Sequence, residues 1–251
     1  MSATHREPAA PDTSSFAAAL ALVQGVQGWL TDAQARRLWN SAAALRGPGR
    51  IVEIGSFRGR STIVLACAAG EGIELVAIDP HGGGDRGPQE ITADADQGEQ
   101  DFAAFNANLR SAGVEDRVRH LRALSLAALD AVQGPVDVLY VDGAHRYGPA
   151  RSDIERWGAR VKPGGTMLVH DSFNAVGVTL AQLRLLLLSS QWRYIGRSGS
   201  LAEYRREQLS RLEIAVNGLR QLAGLPYFAR NMLIKIALLA RGRHDDGAWP
   251  Y

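Results

Sequence analysis

The sequence predicts a doubly wound α/β fold, and three observations predict it. Residues 51–69 run from an apolar strand (Ile51, Val52, Ile54) through a turn from Gly55 to Gly59 into an apolar helix opened by Ser61 and Thr62. This strand, glycine turn and helix start form the first unit of an open α/β sheet, whose ligands bind beyond the carboxyl ends of the strands. Further apolar strands then end in polar groups: 74–78 in Asp79, 136–141 in Asp142, and 166–169 in His170 and Asp171. Helical segments separate most of these strands, the alternation that builds parallel sheets.

The chain opens with a Pro-, Ala-, Ser- and Thr-rich arm, residues 1–14, expected to be disordered. Residues 15–46 form N-terminal helices. Thr31 and Asp32 can cap the second of them, and Gly47-Pro48-Gly49 ends it. The core is expected over 47–206. After the second strand, residues 80–101 read as a Gly-rich, then acidic, loop, with Asp85 and Glu90 among its acids; a lid or binding loop and a plain solvated loop are equal readings. A helix follows over 102–112, then a third strand over 118–123 and a short helix over 126–132. Lys162-Pro163-Gly164-Gly165 reads as a turn before the fifth strand. Strands over 192–195 and 201–204 read as a closing hairpin. Residues 207–251 are a C-terminal helical extension with a polar tail.

Composition sets limits. The 251 residues are 46% hydrophobic and 22% charged with a net charge of +2, so the total makes no case for a polyanionic partner. Cys67 is the single cysteine, which excludes a disulfide framework and places a buried thiol in the first core helix. The N-terminus does not read as a signal peptide, and no apolar run reaches the roughly 20 residues that span a bilayer. Cytoplasmic location is the expectation. The second C-terminal helix is amphipathic and basic. Packing or subunit pairing through these helices, giving a homo-oligomer, is favoured over lying on a membrane.

The glycine spacing narrows the ligand. Dinucleotide sites carry G-x-G-x-x-G, whereas Gly55 and Gly59 are four apart and the acid Glu53 lies in the strand end. A pyrophosphate needs a tight turn against a helix N-terminus; a cationic ligand without phosphate tolerates a nearby carboxylate. Glu53, Gly55, Ser56, Gly59, Ser61 and Thr62 are therefore candidate cofactor contacts. Asp79, 24 residues beyond Gly55, is placed to accept hydrogen bonds from a ribose diol. Ser125 lies where an adenine edge sits in this fold and can equally cap the short helix that follows. Asp142, His170 and Asp171 arrive on adjacent strands about 5 Å apart and can converge on one ion.

The E-x-G-x-x-x-G pattern of residues 53–59 resembles motif I of class I S-adenosylmethionine-dependent methyltransferases. With Asp142-Gly-Ala-His145, the K-P-G-G segment and His170-Asp171, residues 50–206 resemble a metal-dependent small-molecule O-methyltransferase family that includes macrolide-sugar O-methyltransferases and cephalosporin-hydroxylase-like proteins. The resemblance implies a Rossmann-like seven-stranded, mostly parallel sheet with a terminal antiparallel hairpin. It implies S-adenosylmethionine as cofactor, Glu53 near the methionyl ammonium, a divalent metal (magnesium first) on Asp142 and Asp171, and His145 as catalytic base. Asp142 would serve cofactor, metal and catalysis together. One departure stands out: these enzymes tend to carry an acid where this chain has His170. Imidazole suits zinc, iron or nickel better than magnesium. His170 is therefore a ligand, a supporting partner or a base.

The expected reaction moves a methyl group to a hydroxyl of a small polar acceptor, a sugar or glycoside first, with a methylmannoside 1-O-methyltransferase as one specific case. A catechol-like phenolic O-methyltransferase and a low-activity cofactor-binding accessory protein are the alternatives. No basic, aromatic-interleaved stripe in the core points to nucleic acid.

Overall fold

In the computed structural model, residues 15–84 and 92–241 are described. The expected disordered arm, the acids Asp85 and Glu90, and the polar tail from 242 lie outside those residues. Seven strands form one sheet: β1 (Gly49–Ile54), β2 (Ile73–Ile78), β3 (Val118–Leu121), β4 (Val136–Val141), β5 (Val161–Val169), β6 (Trp192–Ser198) and β7 (Leu201–Arg206). Their order is β3-β2-β1-β4-β5-β7-β6. β1 to β5 pair in parallel, and β7 lies antiparallel between β5 and β6. The fold is the doubly wound sheet with a terminal antiparallel hairpin. The strand order reverses between β1 and β4, which places the crevice for a ligand beyond the ends of those two strands.

Period-two alternation divides the core into two layers. Ile51, Leu75, Val138, Tyr140 and Leu168 face α1 (Phe16–Val23), α2 (Asp32–Ala43), α3 (Arg60–Ala68) and α4 (Ala95–Ser111). Val52, Ile54, Leu139, Val141 and Met167 face the other layer, with α5 (Tyr147–Gly158) and α6 (Val176–Leu186). Glu53, between Val52 and Ile54, shares the first face. Cys67 is buried in α3, where burial pushes its thiol up to about 11. Such a thiol is inert near neutral pH.

α2 begins with a capping box, Thr31 with Gln34. Gln34 then donates from Nε2 to Ser200 Oγ at 3.0 Å, and Arg37 pairs with Glu203. These contacts anchor the N-terminal helices to the β6–β7 hairpin.

Four local expectations are corrected. The acidic stretch is not loop to residue 101: α4 starts at Ala95, seven residues early, because Asp94 caps Gln97 N at 3.1 Å and Asp96 sits in the first turn, where an acid suits the helix dipole. Lys162 to Gly165 is not a turn before β5 but an irregular stretch inside it. Val136 pairs with Val161 and the next rung joins Val138 to Thr166, so the intervening residues bulge, with Gly164 at φ +79° and Lys162 paired to Asp137. The short helix expected over 126–132 is reduced to a single 3₁₀ turn, Leu129–Ala131. Finally, α7 (Arg211–Leu222) and α8 (Leu225–Ala240) together are long and apolar enough, by length and composition, to cross a membrane. Arg220, Arg230 and Lys235 interrupt the apolar residues, so no unbroken apolar run marks this stretch in the sequence.

Candidate active site

A cavity of about 390 Å³ opens beyond the carboxyl ends of β1, β2, β4 and β5. This is within the usual range for a small-molecule site, about 300–1,000 Å³. Gly55, Asp79, Ser125, Asp142, His145, His170 and Asp171 all line it. Gly55 is required by contact as well as by conformation. It has φ +87°, and a Cβ there would lie 2.0 Å from the Asp142 carbonyl oxygen. The close approach of the two strand ends thus depends on a missing side chain.

Asp79 organises the β1 and β2 ends. Its Oδ2 accepts from Phe57 N at 2.8 Å and its Oδ1 from His81 N at 2.7 Å. Both donor residues are left-handed, Phe57 at φ +44° and His81 at φ +46°. Backbone held in this region by non-glycine residues is strained and collects at functional sites. Phe57 stacks on Trp29, with ring centroids 5.4 Å apart, and both line the cavity. Ser125 donates to Asp153, and its carbonyl accepts from Trp157 Nε1 at 3.2 Å. Burial pushes the Asp153 carboxyl up to about 6.

The remaining candidate cofactor residues lie elsewhere. Glu53, Ser56, Gly59, Ser61 and Thr62 are not among the cavity-lining residues. Glu53 is fully buried under the glycine turn and accepts from both Ser61 Oγ and Thr62 Oγ1. These three side chains satisfy one another and brace the turn, because alternation points Glu53 into the helix-covered layer. Gly59, at φ +86°, packs its Cα face toward Phe105 at the start of α3. Ser56 Oγ is buried with no hydrogen-bond partner among the described residues.

Burial pushes the Glu53 carboxyl up to about 8, against about 4.3 for an ordinary glutamate. Between those values the folded state holds a proton that the unfolded state has released. Stability should therefore fall as pH rises from about 5 through 8. The thermal midpoint of Glu53→Gln should show less of this decline, and equal slopes for the two proteins would refute the assignment.

At the β4 and β5 ends, charges of both signs converge. His170 Nδ1 lies 3.1 Å from Asp142 Oδ1 and 3.2 Å from Asp171 Oδ2. His145 Nε2 lies 2.8 Å from the same Asp171 Oδ2. Tyr140 OH donates to Asp142 Oδ2 at 2.7 Å, and Asn174 Nδ2 donates to Asp171 Oδ1 at 2.8 Å. Asp171 adopts φ +55°, a left-handed turn just after β5. Burial alone would lower both imidazoles, but the adjoining carboxylates outweigh it. His145 is held above its ordinary value and His170 well above it. Burial would raise Asp171, yet the two imidazoles hold it well below the carboxylate range. The cluster thus brings two carboxyl groups and two imidazoles into direct contact.

Several groups here were missed in the sequence. Tyr140, Asn174 and Trp29 read as ordinary strand, loop and helix-flanking residues. Lys235 comes from α8, about 60 residues beyond the last motif. It lines the cavity and donates from Nζ to the Asn174 carbonyl at 2.9 Å. No local signal identifies it, since its spacing on α8 is that of a solvated basic residue.

Residues 52–172 match the family model for a methyltransferase domain. The methyltransferase domain is also similar in fold to solved structures. One is an O-methyltransferase from Bacillus cereus in complex with SAH, 17% identical with a TM-score of 0.56, covering 82% of this chain and 94% of that one. Another is the SAH-bound Podospora anserina methyltransferase PaMTH1, 16% identical with a TM-score of 0.57, covering 79% and 88%. A third is the O-methyltransferase TomG from Streptomyces achromogenes, in complex with SAM, 22% identical with a TM-score of 0.50, covering 78% and 89%. At these identities the likeness is one of fold. The uncharacterized protein y4gI of Sinorhizobium fredii is 32% identical over 136 residues, 51% of this chain; the chain spans 14% of that relative's length.

Proposed function

We propose that the methyltransferase domain transfers the methyl group of S-adenosylmethionine to a hydroxyl of a small polar acceptor, a sugar or glycoside first, in the cytoplasm. The observation that carries this is the pairing of His145 with buried Asp171 on the cavity that also holds Asp79. An imidazole and a separate carboxylate on one cavity support transfer from a nucleoside cofactor to an alcohol.

The residues fit the cofactor. Asp79 keeps lone pairs for a ribose diol, and Gly55 leaves room for backbone to approach. Asp79→Asn should weaken S-adenosylhomocysteine binding by about 10–100-fold, the loss of charge-assisted hydrogen bonds. Calorimetric titration measures it, and unchanged affinity would remove Asp79 from the cofactor site.

The residues also fit a divalent ion. One donor atom each from Asp142, His170 and Asp171 lie within 4.8 Å of one another. Such an ion would lower the pKa of an acceptor hydroxyl and hold it in place. The mixed nitrogen and oxygen set suits manganese, iron or zinc as well as magnesium. For the chain's own part, Asp171 orients His145 through Nε2–H, which leaves Nδ1 as the ring atom that takes a proton. Nδ1 is shielded in this arrangement, so the acceptor must displace its cover. Asp171 then stabilises the imidazolium that forms.

Trp29 stacked on Phe57 at the cavity favours a second reading, a phenolic acceptor. Methyl-labelled cofactor offered with a panel of glycosides and catechols separates the two. Label in glycosides supports the sugar reading, and label confined to catechols replaces it.

A further inference from the structure

The two C-terminal helices are built inside out. α7 buries Asn217, Gly218 and Gln221 and turns Leu212, Val216, Leu219 and Leu222 to solvent, with Leu212 75% and Leu219 68% exposed. The inward polar groups are fully engaged with the domain. Asn217 Oδ1 accepts from Tyr194 N at 2.7 Å, and its Nδ2 donates to the Trp192 carbonyl at 3.0 Å. Gln221 accepts from Tyr204 OH at 3.1 Å and donates to the Leu186 carbonyl at 3.2 Å. α8 repeats the pattern. Asn231 is buried and donates to Asn174 Oδ1 at 3.3 Å, and Lys235 points the same way. Leu225, Leu233 and Ile236 face outward, Leu233 68% and Ile236 62% exposed.

A helix on the surface of a water-soluble domain has the opposite arrangement. Leu212, Val216 and Leu219 follow the i, i+4, i+7 spacing of one helix face, and Leu225, Leu233 and Ile236 follow i, i+8, i+11. Each helix thus presents a continuous stripe. Its apolar surface needs a cover.

Charge identifies the cover. From residue 211 to 241 the sequence holds five basic residues (Arg211, Arg220, Arg230, Lys235, Arg241) and one acid, Glu213. That acid is already paired with Arg193. Arg211, Arg220, Arg230 and Arg241 are exposed alongside the apolar stripes. An apolar strip flanked by arginines complements the acyl boundary and anionic headgroups of a bilayer. A second copy would bring the same arginines against one another. The hydrogen bonds of Asn217, Gln221 and Asn231 hold the helices along the domain, which excludes crossing the bilayer in this conformation.

We propose that α7 and α8 dock the methyltransferase domain flat on an anionic bilayer surface. Because the opposite face of α8 supplies Lys235 to the cavity, the docked helix is also a wall of the active site.

The test is sedimentation of the full chain with phosphatidylglycerol–phosphatidylcholine vesicles, against phosphatidylcholine vesicles alone. The chain should pellet with the anionic vesicles, and less so at high salt. The double variant Leu219→Glu/Leu233→Glu should lose at least about tenfold in vesicle affinity. Both positions are exposed, and circular dichroism with S-adenosylhomocysteine titration checks that fold and cavity are retained. Equal pelleting of variant and wild type, or no pelleting of wild type, overturns the proposal. A wild type that migrates as a dimer without binding vesicles, and a variant that migrates as a monomer, would assign the face to a second copy instead.

Discussion

Replacing His145 with Asn should lower turnover by about 10²–10⁴-fold, the usual contribution of a positioned general base. Binding of S-adenosylhomocysteine should be unchanged. The separation follows from placement. His145 stands at the β4 end against Asp171, whereas Asp79 is positioned by Phe57 and His81 at the ends of β1 and β2. The pH profile gives a second readout. Burial pulls His145 down, but Asp171 and Asp142 hold it above its ordinary value, which is about 6.5. A base acts when neutral, so turnover in the protein without added metal should rise with pH through a value above 6.5. The variant should lose that rise. Single-turnover rates across pH measure both effects. A variant that keeps wild-type turnover would remove His145 as the base.

Asp171→Asn should have a comparably large effect through a different route. Among the described residues, Asp171 is the one carboxylate in direct contact with both imidazoles, and it is buried. Removing its charge leaves His145 and His170 with Asp142 alone, and it takes away one of three converging donors. If a divalent ion occupies those donors, it replaces protons held by the cluster. Binding of manganese or magnesium should therefore release protons and tighten as pH rises. Calorimetry in two buffers of different ionisation enthalpy counts the protons. In Asp171→Asn, metal affinity should fall by at least about 10–100-fold, and any metal-dependent turnover should fall with it. Turnover that is indifferent to a chelator, in a protein freed of metal, would leave the cluster acting through its imidazoles alone.

The sequence was most legible where chemistry and periodicity coincide. Strands ending in Asp79, Asp142 and His170-Asp171 were readable because an apolar run that stops at an acid is unusual in a buried strand. Those residues line one cavity. The glycine turn was readable as a turn, but its side chains were not. Glu53, Ser61 and Thr62 were candidate ligands, and the structure closes them into a buried hydrogen-bonded group. Only the alternation of β1 against its neighbours shows which layer Glu53 enters. Lys235 was not legible, because its approach to Asn174 depends on how α8 crosses the end of β5. Gly224 sets part of that crossing: a Cβ there would lie 2.9 Å from the Phe173 ring. The start of α4 was missed for a third reason. A run of acids reads as solvated loop, yet at a helix N-terminus the same charges stabilise the first turn.

The measurement that tests the site most directly is calorimetric titration of the full chain with S-adenosylhomocysteine, with and without divalent metal, beside Asp79→Asn. The cavity, with Asp79 at the end of β2, predicts saturable one-to-one binding that the substitution weakens by about 10–100-fold. Absence of binding in either metal condition would contradict the methyl-transfer reading.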